Sequence, residues 1–532
     1  MNRLADRIAL LALWAGVLGV ALATRPLLPV DETRYASVAW EMWSRRDFLV
    51  PWLNGEPYAH KPPLLFWLIQ AGWALFGVND WWPRLVSPLV GLLCLGLTAR
   101  LARRLWPDRT QVAMLAPWVL FGTLFFTFFY TLLQFDLLLA ACVLLGMLGL
   151  LAAARGRRAG FGVLAVAIGL GVLAKGPVIL LHLLPAALLG FLWTPRARAW
   201  GWYGGVGLAV LGGAALALAW ALPAAQAGGE AYREAIFWGQ TAGRVVKSFA
   251  HRQPWWWYLP WLPVLLMPWA LWRALWARPP GDECADVQPL AFLAVWLLPV
   301  FVAFSLVSGK QLKYLLPLLP GVVLLVAWLL TGRERPVGAR WTLALYLGVA
   351  GLLLGAVPAI AAHRGEPLLA AAPAWPGIVL VALGMLCLLV RRPAGVGAGV
   401  RALTLGSALI VVLAHLGPVR ALAPAYDLAG FARALARAQT SGVTVAHVGK
   451  YHGQFHFLGR LREPLVVIPA TRAKEWVVRH PEALVVVYRE QFRPPLPPDG
   501  ARRVQDYRGD REDLMLWRAA DLARVLQKRQ PG

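Results

Sequence analysis

Two adjacent carboxylates, Asp31 and Glu32, open a stretch of the chain rich in groups able to handle a charged substrate. Arg34 and Tyr35 follow at once, and Tyr58, His60 and Lys61 come a short loop later, just before Pro62 and Pro63. A carboxylate can take a proton from an attacking group or orient it, while Arg forks and Lys ammonium groups receive phosphate oxygens. Residues of the same chemistry recur downstream at Asp136, Lys175, Arg252, Lys310 and Tyr314. Any one of these cations reads equally well as a side chain snorkelling from an apolar surface. It is the grouping that suits a phosphate or pyrophosphate.

Asp31 has two compatible uses. As the N-cap of a following helix it would contribute about 1 kcal/mol. Capping does not explain a second acid and Arg34 beside it, and ionisable groups at a membrane boundary are functional candidates by default. Asp136, between two apolar runs, is either a buried acid satisfied by a neighbouring hydroxyl or a partner of Asp31 that orients an acceptor or shares a cation. The catalytic candidates are therefore Asp31, Asp136 and Glu32. The candidates for holding a phosphate are Arg34, Tyr35, Tyr58, Lys61, Lys175, Arg252, Lys310 and Tyr314. His60 and His251 could ligate zinc with a carboxylate, although they lie far apart in sequence. A divalent cation stays open and no cofactor is expected to be required. With no nucleotide-binding glycine loop, Walker motif or serine elbow, neither ATP nor an acyl-enzyme is expected.

The elements that must position these residues are mostly membrane spans. The chain has 532 residues, of which 59% are hydrophobic, above the roughly half expected of soluble domains. Runs long enough to cross about 30 Å of hydrocarbon recur about thirteen times between residues 8 and 420, among them 111–131 and 256–276. The first, 8–22, lacks a cleavage pattern and reads as a retained span. The net charge of +25 comes largely from Arg and Lys in alternate short loops, which marks those loops as cytoplasmic and excludes nucleic acid as a partner. By the same rule the opening loop near 26–83, Asp136, Lys175, the loops 226–257 and 308–313, and the tail face outward. Of the four cysteines, Cys94, Cys142, Cys284 and Cys387, no two stand at metal-ligand spacing, and no disulfide is expected.

Within the opening loop, Tyr35, Val38, Ala39, Met42 and Trp43 recur at helical spacing, with Arg34, Ser37, Glu41, Ser44 and Arg45 opposite them. This predicts an amphipathic helix lying in the membrane interface, with a second interfacial segment over 64–76. The ring side chains at 255–258 suit an aromatic belt. Past Pro424 the composition turns mixed and charged. Helices are expected at 428–439, 473–478 and 510–526, and strands at 443–448, 465–468 and 484–488, which makes a small α/β domain. The division is then a transmembrane domain at 1–421 and a tail domain at 422–532.

The residues at 31–36, Asn54-Gly55, Lys61-Pro62-Pro63-Leu64, Lys175-Gly176, and Ser308-Gly309-Lys310 with Tyr314 and Pro317 give the chain a resemblance to a known family. It resembles the polyprenyl-phosphate-dependent GT-C glycosyltransferases, specifically the 4-amino-4-deoxy-L-arabinose lipid A transferases and related protein mannosyltransferases. The resemblance implies an all-α polytopic fold with a small α/β periplasmic domain in the bacterial inner membrane. It implies an inverting transfer of a sugar from undecaprenyl phosphate to lipid A or another cell-envelope glycan, with protein or O-antigen hydroxyls as further acceptors. Asp31 would be the essential acid, Arg34, Lys61, Lys175 and Arg252 with the three tyrosines would surround the donor phosphate, and Asp136 would assist the acceptor. These transferases usually carry Glu before the Lys-Pro-Pro motif. His60 stands there instead, which argues against a glutamate-ligated metal. A lipid-linked sugar flippase would also need many spans and buried charges, but the paired repeats typical of transporters are missing from the sequence.

Overall fold

The computed structural model describes residues 3–239, 252–276, 287–331, 338–389, 395–492, 495–507 and 513–528. His251 and Cys284 lie outside them; Cys94, Cys142 and Cys387 are free thiols. Among the described residues, eight helices are long and apolar enough to cross a membrane, and five shorter apolar helices accompany them. The chain is a multi-pass, mostly helical membrane protein.

Helix α1 (Arg3–Thr24) leads into α2 (Asp31–Arg45), a hairpin of β1 (Trp52–Leu53) and β2 (Glu56–Pro57), then α3 (Leu64–Phe76) and α4 (Trp81–Leu105). Both expected helices of the opening loop are present. The hairpin turns at Asn54 and Gly55, whose φ angles are 57° and 84°, the left-handed region that Asn and Gly tolerate best.

Two expected spans are broken. The run 111–131 is α5 (Thr110–Gly122) followed by α6 (Leu124–Phe129), with Thr123 extended between them at φ −73°, ψ 113°. The run 256–276 is a series of short turns, Trp255–Trp261, Leu262–Leu265, Trp269–Leu271 and Arg273–Trp276. Pro260, Pro263 and Pro268 explain it, since each removes an N–H donor and clashes with the preceding turn. Backbone groups freed at membrane depth must find partners within the protein. Leu124 N donates to Met267 O at 2.9 Å, and Trp269 Nε1 lies 3.0 Å from both Val119 O and Thr123 Oγ1. Ser407 Oγ donates to Gly122 O at 2.6 Å and Thr404 Oγ1 to Trp118 O at 2.9 Å. The broken segments splint each other.

Helices α7 (Phe135–Ala154) and α8 (Ala159–Lys175) follow. They cross closely at Gly160, where a Cβ would stand 2.4 Å from Ala153 N, the small-residue contact common between membrane helices. Their ends carry Asp136 and Lys175.

The tail holds β3 (Val445–Val448), β4 (Val466–Ile468), β5 (Leu484–Tyr488), β6 (Arg503–Gln505) and β7 (Leu514–Arg518) in the order β4-β3-β5-β7-β6. The first three strands are parallel, and β7 is antiparallel to both β5 and β6. Helices Ala429–Thr440 and Ala473–Arg479 fall where expected. The closing helix expected at 510–526 is instead β7 followed by a helix over Ala519–Gln527. Leu514 and Leu516 pack into one apolar cluster and Met515 and Trp517 into another. A strand covered on both faces is a continuous apolar run, which periodicity cannot tell from a helix.

The tail is docked on α2. Ser37 Oγ donates to Gly453 O at 2.5 Å and accepts from Phe457 N at 2.9 Å, while Trp40 Nε1 donates to Leu461 O at 2.8 Å. Glu41 accepts from Asn54 N and Gly55 N at 2.6 and 2.7 Å, and Asn54 exchanges two hydrogen bonds with Leu465. The side of α2 expected to meet water, Ser37 and Glu41, is therefore buried against protein.

Replacing Ser407 with Ala leaves Gly122 O without its hydroxyl donor. A loss of about 1–3 kcal/mol is expected, measured as a lower thermal midpoint of the detergent-solubilised protein.

Candidate active site

Helix α2 begins at Asp31, but its N-cap is Val30 and no side chain caps it. The capping use of Asp31 is thus absent. Its carboxylate is turned instead to cations: Oδ1 accepts from Arg34 Nη2, one helical turn on, and Oδ2 lies 3.4 Å from Lys313 Nζ. Lys61 adds its field. Burial pulls the Asp31 carboxyl upward, but Lys313 and Arg34 outweigh it and hold it below the ordinary 3.8. The carboxylate remains 36% exposed, against 21% for Arg34 and 22% for Lys313. It is charged, neutralised and still reachable.

Glu32, one residue on, is used differently. Arg25 Nη1 meets Oε2 at 2.6 Å and Arg25 Nη2 meets Oε1 at 3.2 Å; the two side chains are 2% and 3% exposed. Leu28 N and Leu133 N each donate to the same carboxylate at 2.7 Å, and Arg25 Nη2 also reaches Thr131 O at 2.5 Å. Both oxygens of Glu32, counted among the catalytic candidates, are thus engaged within the fold. The carboxylate ties the α1–α2 linker to the loop before α7.

That loop delivers Phe135 and Asp136. Tyr35 packs edge-on against Phe135 at 4.8 Å, and Lys61 Nζ lies 5.6 Å from the centre of the same ring. Asp136 is buried and pairs with Lys175 Nζ, which also lies 4.8 Å over the Tyr314 ring. Asp136 is thus satisfied by a cation, not by a hydroxyl, and that cation is not one of those on Asp31. Asp136 and Asp31 both act electrostatically on buried Tyr35, and Tyr58 acts on Arg34. The side chains of Asp31, Arg34, Tyr35, Tyr58, Lys61, Asp136, Lys175 and Tyr314 therefore form one contiguous cluster.

One expected phosphate ligand, Lys310, is engaged by the backbone. Lys310 is buried and gives its ammonium to two carbonyls, Gln253 O at 3.0 Å and Val307 O at 2.5 Å. Arg252 is exposed and bridges to Gly309 through its backbone. The cation that does reach Asp31 is Lys313, which the sequence reading passed over. Its signal was available: three residues past Lys310, it opens the turn over Leu312–Leu318 that also presents Tyr314. Arg25 was missed as well, because an arginine at the end of a span looks like any topology signal. His60 is exposed and sits edge-on to Tyr58 at 5.2 Å. No group of three His, Cys, Asp or Glu among the described residues is placed to hold a metal ion, and His251 falls outside those residues.

Residues 60–225 match the family described as dolichyl-phosphate-mannose-protein mannosyltransferase. An undecaprenyl phosphate-alpha-4-amino-4-deoxy-L-arabinose arabinosyl transferase from Pseudomonas aeruginosa strain LESB58 is 36% identical over 350 residues, 64% of this chain and 62% of that relative. The first such transferase of Pseudomonas fluorescens strain ATCC BAA-477 is 34% identical, again over 350 residues and 62% of each chain. The match therefore spans less than two thirds of the relatives' length. The crystal structure of ArnT from Cupriavidus metallidurans bound to undecaprenyl phosphate superposes with a TM-score of 0.77 at 22% identity, covering 96% of this chain and 97% of that one. Its apo form gives 0.78 and covers 99% of both chains. The likeness in fold runs nearly end to end, and the resemblance drawn from the opening motif is borne out.

Replacing Glu32 with Gln strands the Arg25 charge in a dry site. A loss of about 3–5 kcal/mol is expected, seen as a fall in thermal midpoint and in monodisperse protein on size exclusion.

Proposed function

We propose that this chain, a GT-C membrane protein similar to the undecaprenyl-phosphate-dependent aminoarabinose transferases, moves a sugar from an undecaprenyl-phosphate donor to lipid A on the periplasmic side of the inner membrane. The observation that carries the reading is the convergence on one cluster of a partly open, ionised Asp31 with Arg34, Lys61, Lys313 and the Lys175–Asp136 pair. Names of relatives supply the sugar and its undecaprenyl-phosphate carrier; the lipid A acceptor comes from the resemblance alone, and the cluster supplies the chemistry.

In the proposed reaction an acceptor oxygen attacks the anomeric carbon of the donor sugar. The bond from that carbon to the phosphate oxygen breaks on the opposite face, and the electron pair leaves with the polyprenyl phosphate. Lys61, Arg34 and Lys175 surround the departing oxygens, where fixed cations stabilise charge that grows in the transition state. Tyr35, Tyr58 and Tyr314 wall the same volume. The protein's work is positioning and charge stabilisation, because the donor is already activated.

The lowered pKa favours one of two roles for Asp31. A general base works best when its pKa lies near the operating pH, and Lys313 and Arg34 hold Asp31 far below that. A phosphate acceptor is already deprotonated and needs no base. Asp31 then orients the acceptor and balances the surrounding cations, while the buried Asp136 fixes Lys175. With four cations present, the departing phosphate needs no metal ion. Dialysis against EDTA should leave the transfer rate within about twofold of untreated enzyme, and a large loss restored by zinc or magnesium would show otherwise.

Asp31→Asn should cut transfer of a synthetic polyprenyl-phosphate sugar by more than a hundredfold with donor affinity little changed; near-normal turnover would remove Asp31 from the mechanism. The pH profile gives a second check. Activity should persist at neutral and mildly acidic pH and fail only as the pH drops through the depressed Asp31 pKa. Removing the opposing cation in Lys313→Met raises that pKa, so the acid limb of kcat/KM should move to higher pH. An unmoved limb would separate Lys313 from Asp31.

A further inference from the structure

Lys310 is 3% exposed, and its ammonium goes to two carbonyls and, among the described residues, to no carboxylate. An ammonium is strongly hydrated and costly to bury, so an aliphatic side chain would fill the same space more cheaply. What the charge adds is a tie between two segments far apart in sequence. Val307 O follows the end of helix Val287–Leu306, and Gln253 O belongs to the stretch that enters the turn Trp255–Trp261. The same two segments are joined by Gln253 N donating to Ser308 O at 3.0 Å and by the backbone bridge between Arg252 and Gly309. Tyr258 OH donates to Gln311 O at 3.2 Å. Residues 308–311 are therefore fastened at both ends.

The turn Leu312–Leu318 starts where they stop. Its opening residues serve both open and closed acids: Lys313 Nζ lies 3.4 Å from Asp31 Oδ2, and the Tyr314 ring lies 4.8 Å from Lys175 Nζ, the cation paired with Asp136. Tyr314 N bonds back to Gln311 O at 3.0 Å, so the turn takes its placement from the fastened stretch. The Lys313 contact is at the long end of hydrogen bonding, and a shift of about 1 Å would end it. The cations whose fields lower the Asp31 carboxyl are Lys313, Arg34 and Lys61. An effect of Lys310 on Asp31 must then pass through Lys313.

We propose that Lys310 is a positioning residue for the reaction, which ties the end of helix Val287–Leu306 to the stretch before Trp255 and so fixes the turn that presents Lys313 to Asp31 and Tyr314 to Lys175. The inference rests on the transfer reading above and gives Lys310 a use other than phosphate binding. Its test uses full-length protein in nanodiscs and two readouts. The first is the acid limb of kcat/KM with a synthetic polyprenyl-phosphate sugar. Lys310→Met should move that limb to higher pH by about half a unit or more, in the same direction as Lys313→Met, and should add nothing when combined with Lys313→Met. Tyr258→Phe, a milder cut on the same stretch, should move it the same way by less. An unmoved limb in Lys310→Met, or in Tyr258→Phe should the first variant not fold, would overturn the proposal, as would a double variant displaced beyond Lys313→Met. The second readout needs no turnover: brief acetylation followed by mass spectrometry should modify Lys313 about threefold faster or more in the variant, with Lys474 of the tail as an unchanged reference. Equal Lys313 reactivity would also overturn the proposal. Protein whose Lys313 is loosened in this way but which transfers no sugar would sink the transfer reading and leave the positioning role standing.

Discussion

The site depends on the buried pair of Arg25 and Glu32. A carboxylate and a guanidinium with almost no access to water are costly to bury, and only near-complete hydrogen bonding makes the arrangement tolerable. Here the bonding reaches three places at once: the linker after α1 through Leu28 N, and the loop before α7 through Leu133 N and Thr131 O. Asp31 and Asp136 stand just beyond these two anchors. Their separation is set by a contact that neither of them makes.

Around that anchor, charge is sorted by access to solvent. Glu32 and Asp136 are closed off and each is matched to one cation, Arg25 or Lys175. Asp31 is shared between Arg34 and Lys313 and stays open to the outside. Three acids near one membrane boundary are therefore held in two ways: Glu32 and Asp136 are closed off against one cation each, and Asp31 is shared and partly open. Such division is expected where a low dielectric makes every unmatched charge expensive.

Much of this was legible in the sequence, for identifiable reasons. The opening helix and the segment over 64–76 were readable because apolar residues recur at helical spacing and Pro62-Pro63 marks the join. Lys61, Lys175 and Tyr314 were readable because hydrophilic groups are scarce in such a chain. Sequence could not separate Lys310 from Lys313, since the difference is whether backbone carbonyls happen to take the ammonium. Nor could it show that Ser37 would be covered by the tail and Glu41 taken up by the hairpin backbone at Asn54 and Gly55. Amphipathic spacing reports that one face differs from the other, and whether the polar face meets water or polar protein is decided by parts of the chain more than 400 residues away.

The splinted pair of broken spans has a consequence for how the protein is made. Trp269, which supplies the N–H bridging Val119 and Thr123, follows Val119 by 150 residues. While the chain enters the bilayer in order, Leu124 N must wait for Met267 O, and Gly122 O for the hydroxyl of Ser407. Lipid offers such groups no hydrogen bonds, so the early segment has reason to stay near the insertion machinery or a water-filled vestibule during that interval. Final burial of the first half is thereby timed by synthesis of the second.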